Sequence, residues 1–189
     1  MIKTHHTDIY DLSKYASHLK SLTKEDKHSR FGMELTDASI DQLILRMVYS
    51  PSEHELWCSV YNGEIAGFGH LARNPDGSWE LAVSVNKEHQ QKGVGDSLIG
   101  EILSWAKFHE IPEVFMHCIE DNRVIQHLAE KHNLKLRLRD HGERTSSIEV
   151  PTPNVFEVNS HILKEQMEIY TQIGELREKL TRLWFDRKV

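Results

Sequence analysis

One stretch of the chain constrains its fold more than any other, the passage from Trp79 to Ala106. It begins with W-E-L-A-V-S-V, an apolar run with a β-branched end, which predicts a short strand. A polar loop with two glycines follows, and apolar residues then recur every three or four positions. This spacing is typical of one buried helix face, formed here by Val94, Leu98, Ile102, Trp105 and Ala106. The passage is therefore predicted to be a strand, a glycine loop and a helix.

This order of elements predicts an anion-binding site at the start of the helix. The first N–H groups of a helix have no intrahelical acceptor, and the positive end of the helix dipole lies behind them. Gly93 and Gly95 carry no Cβ, so the loop backbone can turn tightly and approach a phosphate. Lys92 adds one positive charge. The backbone predicted to hold the anion is that of Gln91, Lys92, Gly93, Val94, Gly95 and Asp96.

The glycine loop does not fit two common phosphate-binding motifs. The P-loop needs G-x-x-x-x-G-K-S/T and the dinucleotide fingerprint needs G-x-G-x-x-G, whereas the chain has G-V-G-D-S-L. Directly after the strand it has Gln90-x-x-Gly93-x-Gly95, which resembles the Q/R-x-x-G-x-G/A signature of the GNAT superfamily of acyl-CoA-dependent N-acyltransferases. The alternative is a glycine turn that joins a strand to a helix and binds no ligand.

The neighbouring segments carry the same resemblance. Strand Val114–Ile119 and the pair Asp121-Asn122 follow the loop helix at the separations that the family shows. The segments R-F-G-M, G-F-G-H-L-A-R and F-M-H-C-I-E-D-N also resemble a mostly uncharacterised bacterial branch of it. The resemblance covers residues 1–150 and implies an α+β fold. That fold is a mixed, mostly antiparallel sheet with a central splayed parallel pair, flanked by helices.

The resemblance implies acetyl-CoA as co-substrate. Its pyrophosphate would lie on the glycine loop, and its pantetheine arm would pair with the strand backbone from Val83 to Val85 and pass Asn122. The N–H of Val85 would donate to the thioester carbonyl. The residues implied to bind the cofactor are Val83, Val85, Gln90, Gln91, Lys92, Gly93, Val94, Gly95, Asp96, Ser97 and Asn122.

Glu80 is the candidate general base. Strand alternation places Glu80, Ala82 and Ser84 on one face, and in the resembled family a glutamate near this point takes the proton of the amine, often through water. A surface glutamate with no catalytic role is the alternative. The chain departs from the family at Ala129, where many relatives carry the tyrosine that protonates the leaving thiolate. Solvent or His127 would supply that proton, or catalysis is weak.

Further strands and helices are predicted before the glycine loop. Residues 1–6 are predicted to hold the first strand, and Asn62-Gly63 between two apolar runs predicts a hairpin. A helix is predicted from Asp8 to Leu22. In the resembled family the helices after the first strand form a wall of the acceptor site, which makes Arg30 and Phe31 candidate substrate contacts. A helix–helix turn with a packed phenylalanine is the favoured alternative.

Composition excludes several classes of protein. No run reaches the roughly 18 apolar residues that cross a bilayer, and the N-terminus has no apolar signal segment, so a cytoplasmic protein without membrane partners is expected. A formal net charge of −6 argues against nucleic-acid partners. The 13 histidines lack metal-ligand spacings, so no metal is expected.

Residues 1–150 are predicted to form one domain, and residues 151–189 are predicted to form a separate helical extension that follows it in the sequence. Pro151 and Pro153 mark the break between them. Apolar residues then alternate at threes and fours: Ile162, Ile169, Ile173, Leu176, Leu180 and Leu183. The helix either folds back over the sheet or pairs with a second subunit, and we favour a homodimer.

These observations together predict an N-acetyltransferase. It would move an acetyl group from acetyl-CoA by direct transfer to a primary amine of a small molecule or peptide. The alternative is a non-catalytic acyl-CoA sensor or interaction module, which Ala129 favours because alanine cannot donate a proton.

Overall fold

The computed structural model describes residues 1–7, 11–119, 122–132, 135–138, 143–150, 152–153 and 155–186. Asp8, the predicted start of the first helix, lies outside these residues, as do Asp121 and Pro151. Two compact units are present, Met1–Pro151 and Thr152–Val189.

The first unit contains seven strands and five helices in its described part. The strands are β1 (Ile2–His6), β2 (His54–Tyr61), β3 (Glu64–Arg73), β4 (Trp79–Val85), β5 (Glu113–Ile119), β6 (Lys135–Leu138) and β7 (Glu143–Glu149). The helices are α1 (Leu12–Ser21), α2 (Lys24–Phe31), α3 (Asp37–Tyr49), α4 (Val94–Phe108) and α5 (Arg123–Lys131). The second unit contains α6 (Val155–Asp186). The homodimer predicted for this helix stays a prediction.

The strands form one sheet in the order β1-β2-β3-β4-β5-β7-β6. Every neighbouring pair is antiparallel except β4 and β5, which run parallel. In the described residues the parallel ladder joins Trp79 to Val114 and Glu80 to Phe115 and then ends. Because β4 continues to Val85 and β5 to Ile119 beyond this point, the pair opens towards its carboxyl end. The predicted mixed sheet with a central splayed parallel pair is confirmed.

Local sequence accounts for the hairpin of β2 and β3. Asn62 and Gly63 have φ angles of 52° and 93°, as a tight hairpin turn between β2 and β3 requires. The predicted hairpin is therefore confirmed. The first helix differs from its prediction, because it begins at Leu12 with Asp11 as its N-cap residue.

Apolar side chains cover both faces of the sheet. One layer packs α4 on the sheet and includes Leu71, Leu81, Val83, Val94, Leu98, Ile99 and Ile102. The other packs α1 and α3 on the sheet and includes Tyr15, Leu19, Ile40, Met47, Leu56 and Phe68. The alternation of β4 places Leu81 and Val83 in the first layer and turns Ala82 and Ser84 to the opposite face.

Candidate functional site

A cleft with a volume of about 730 Å³ opens where β4 and β5 separate. Its walls come from β4, the glycine loop, the first turn of α4, and the helices α2 and α5. The predicted site residues in its lining are Arg30, Val83, Val85, Gln90, Gln91, Gly93, Val94, Gly95, Asp96 and Asn122. The splayed strands and the glycine loop therefore border one and the same cleft.

The glycine loop presents a continuous row of N–H donors. Within the described part of the chain, the backbone N–H groups of residues 91–96 have no hydrogen-bond acceptor. Gln91 and Gly93 hold φ angles of 59° and 85°, which turn the chain into the first turn of α4. Successive amides in such a turn, at the positive end of a helix, form a concave site suited to an anion.

The two glycines of the loop serve different purposes. Gly93 is the N-cap residue of α4 in the left-handed conformation, which L side chains rarely adopt. Gly95 has ordinary backbone angles, but a Cβ at this position would lie 3.3 Å from Leu128 Cδ1 on α5. The second glycine therefore allows α5 to pack closely against the start of α4.

Asp96 lies in the first turn of α4, where its negative charge would oppose an anion. Its carboxylate is 2.8 Å from Lys131 Nζ and 2.9 Å from His132 Nε2. The hydrogen bond from Lys131 lowers the pKa of Asp96, and the bond from His132 acts in the same direction. These partners on or beside α5 neutralise the carboxylate and tie the two helices together.

Ser84 brings a hydroxyl to the cleft from the face of β4 opposite the α4 layer. Its Oγ lies 2.8 Å from Nε2 of His18 on α1, and both side chains are buried. Burial lowers the pKa of His18 to about 4, although the Asn86 side chain acts in the opposite direction. The imidazole is thus neutral near pH 7 and holds the Ser84 hydroxyl in place. Sequence analysis missed this pair because 66 positions separate the two residues and no local motif joins them.

Four predicted residues lie outside the lining of the cleft. Glu80 belongs to the part of β4 that still pairs with β5, at Phe115. Lys92 Nζ lies 5.0 Å from the centre of the Tyr61 ring, and Ser97 Oγ lies 2.7 Å from Thr4 Oγ1 on β1. Phe31 packs against the layer of α1 and α3.

The α5 side of the cleft contains the three positions that sequence analysis singled out there. Asn122 Oδ1 accepts a hydrogen bond from the Ile125 N–H, so this side chain caps α5 and also lines the cleft. His127 lines the cleft and is exposed. Ala129 is fully buried in the α4 layer. The position expected to carry a tyrosine therefore supplies packing instead of a proton.

Two further properties concern the described residues alone. They contain no group of three or more histidine, cysteine, aspartate or glutamate side chains able to hold a metal ion. None of their helices is both long enough and apolar enough to cross a membrane.

Comparison with known proteins identifies one family. Residues 17–134 match the model of the acetyltransferase (GNAT) family. No curated protein matches the chain significantly.

Solved structures of acetyltransferases share the fold at low sequence identity. PaiA N-acetyltransferase from Thermoplasma acidophilum, solved with coenzyme A, is 18% identical, with a TM-score of 0.61 over 79% of this chain and 99% of that one. A putative acetyltransferase, YncA from Salmonella typhimurium, solved with acetyl-CoA, is 12% identical, with a TM-score of 0.63 over 82% and 99%. Spermidine N-acetyltransferase from Vibrio cholerae, solved with CoA and spermine, is 14% identical, with a TM-score of 0.60 over 79% and 95%. At these identities the likeness is one of fold.

Proposed function

Because the chain belongs to the GNAT acetyltransferase family, we propose that it transfers an acetyl group from acetyl-CoA directly to a primary amine of a small molecule or peptide. The observation that carries this proposal is the row of unpaired N–H donors at residues 91–96, beside strands that separate. A diphosphate on the amides and a thioester between the strands would fit this arrangement.

The loop amides would supply most of the affinity for the diphosphate. A hydrogen bond to a charged group contributes roughly 1.5–3 kcal/mol, so three or four amides suffice without an arginine cluster. Lys92 lies outside the lining of the cleft and adds only its long-range charge. In this proposal Val83 and Val85 offer their backbone to the pantetheine arm, and Asn122 borders its path.

The transfer step would form a bond between the amine nitrogen and the acetyl carbon and break the bond from that carbon to sulfur. The amine must lose a proton, for which we propose Glu80. Glu80 lies two residues before Ala82, which borders the cleft, and two residues of strand span about 7 Å. The carboxylate would therefore act through a water molecule. The leaving thiolate would take its proton from His127 or from solvent, because Ala129 has none to give.

Two measurements test the proposal. Calorimetry should detect acetyl-CoA binding to the wild-type protein, and thiol release over a panel of primary amines should detect turnover. Glu80→Gln should lower kcat by about 100-fold, the usual contribution of a general base, and should leave acetyl-CoA affinity unchanged.

The competing function is a non-catalytic acyl-CoA sensor, favoured by the alanine at position 129. Acetyl-CoA binding without thiol release over the whole amine panel would support the sensor. Equal turnover by the wild type and Glu80→Gln would remove Glu80 from the mechanism but leave the transferase in place.

A further inference from the structure

Arg30 brings a positive charge to the α2 wall of the cleft. Within the described residues no carboxylate lies within ion-pair distance of its guanidinium, and its Nε atom has no hydrogen-bond acceptor. The Nε atom is shielded from solvent, and the guanidinium carbon lies 4.6 Å from the centre of the Phe31 ring. A sheltered cation without a partner is costly, so an anion at this position would be stabilised.

Three titratable side chains lie close enough to Arg30 for its charge to affect their pKa, and all three are neutral near pH 7. Burial, with a smaller effect of Arg30, lowers the pKa of His70 well below its ordinary value. Burial likewise lowers the pKa of His18 to about 4. Burial raises the pKa of Tyr15, and the nearby guanidinium of Arg30 acts in the opposite direction without offsetting it. None of the three supplies a negative charge, so the positive charge of Arg30 is not balanced from the sheet side.

The nearest charge in the same wall is the carboxylate of Asp26, one helical turn before Arg30. Four residues of helix span about 6 Å along the axis. Asp26 Oδ1 accepts from Gln90 Nε2 at 3.1 Å, and the same nitrogen lies 3.3 Å from the Val85 carbonyl oxygen. Asp26 therefore lies near the end of β4, where the thioester is proposed to lie, and Arg30 lies one helical turn along α2 from Asp26.

We propose that Arg30 binds a carboxylate of the acceptor, so that the acceptor is an amino acid or another amine that carries a carboxylate. This inference rests on the proposed acetyltransferase function and names its substrate class. The guanidinium would hold the carboxylate through two parallel N–H bonds. Asp26 and the end of β4 would receive the amino group, which places the amine beside the thioester.

The experiment compares the common L-amino acids with their C-terminal amides, in which a neutral amide replaces the carboxylate, at a pH high enough that both amines are largely neutral. Binding to the CoA-loaded protein is measured by calorimetry, and kcat and KM are measured by thiol release. The wild type should favour the acids by about tenfold or more, the discrimination expected of one charged hydrogen-bonded pair. Arg30→Gln should raise KM for the acids by a similar factor and leave the amides within about twofold. Arg30→Lys should keep only part of the preference for acids, because lysine keeps the positive charge but lacks the two parallel N–H donors of the guanidinium.

Arg73→Gln is the matched control, because Arg73 is an exposed arginine at the end of β3 outside the cleft lining. It should behave as the wild type. Equal binding of acids and amides by the wild type, or equal losses for both in Arg30→Gln, would overturn the inference. Acids that bind through Arg30 without turnover would uphold carboxylate recognition and overturn the transferase. Turnover of amines at rates that do not depend on a carboxylate would uphold the transferase and overturn carboxylate recognition.

Discussion

At the scale of single residues, Gly93 is the position on which the anion site depends most directly. Its φ of 85° is a left-handed conformation that costs a β-branched residue at least 1–2 kcal/mol. Gly93→Val should therefore reshape the row of amides and weaken acetyl-CoA binding by about tenfold or more in calorimetry, since each bond lost to a charged group is worth roughly 1.5–3 kcal/mol.

A matched glycine separates backbone strain from ligand binding. Gly77 has a φ of 86° in the turn before β4 and lies outside the lining of the cleft. Gly77→Val should cost a similar free energy of unfolding and leave acetyl-CoA affinity unchanged. If both variants kept the wild-type affinity, the amides of the loop would not be the binding site.

At the scale of elements, the pairing of β3 with β4 determines where the cleft begins. Gly67 on β3 lies opposite Val85, and a Cβ at this position would be 2.5 Å from the backbone oxygen of Ser84. Gly69, on the same face, would place its Cβ 2.5 Å from Ile102 Cδ1, the far end of a flexible side chain. A backbone oxygen in a strand cannot move aside as a side-chain methyl can.

This difference predicts unequal effects of the same substitution. Gly67→Ala should lower the free energy of unfolding by about 2–3 kcal/mol and shift the end of β4, which should also weaken acetyl-CoA binding. Gly69→Ala should cost about 1 kcal/mol or less and leave binding unchanged, because Ile102 can adopt another rotamer. Urea unfolding and calorimetry measure the two effects, and equal losses in the two variants would contradict this account of β3.

The elements that local sequence specifies were predictable, and the contacts between distant elements were not. Asn62-Gly63 fixes a hairpin by its own backbone preferences, and a strand–helix–strand crossover requires the parallel pair of β4 and β5. Ser97 is predicted to bind cofactor from the family resemblance, and its hydroxyl lies beside that of Thr4, 93 positions away. Such a contact depends on how α4 packs on β1, which no local pattern encodes.

At the scale of the whole first unit, the two faces of the sheet differ in the side chains that they bury. The α4 layer buries mainly apolar side chains together with Ser59, whereas the layer of α1 and α3 includes the buried histidines His18 and His70. The cleft borders this second layer through Ser84 and Arg30. The buried polar side chains His18, His70 and Ser84 thus lie on one face of the sheet, and the opposite face packs against α4.

The buried histidines make the stability of this unit depend on pH in a defined window. In the unfolded chain a histidine has a pKa of about 6.5, whereas burial lowers that of His18 to about 4 and lowers that of His70 further. The folded state therefore binds fewer protons than the unfolded state between these values. The contribution of these histidines to stability should be constant above about pH 7 and should fall as the pH drops from 6.5 towards 4. Asp96, whose pKa is also lowered, loses its contribution only below its unfolded value of 3.8.

His18 alone should account for roughly 3 kcal/mol of this loss, at about 1.4 kcal/mol per pH unit. Urea unfolding at pH 7.5, 6.0 and 5.0 measures the slope, which should be shallower in His18→Gln even though that variant is less stable at pH 7.5. His28→Gln serves as the control, because His28 is exposed on α2 and its surroundings change little on unfolding. A His18→Gln slope equal to that of the wild type would mean that the pKa of His18 is the same in the folded and unfolded protein, so that burial does not keep the imidazole neutral below pH 6.5.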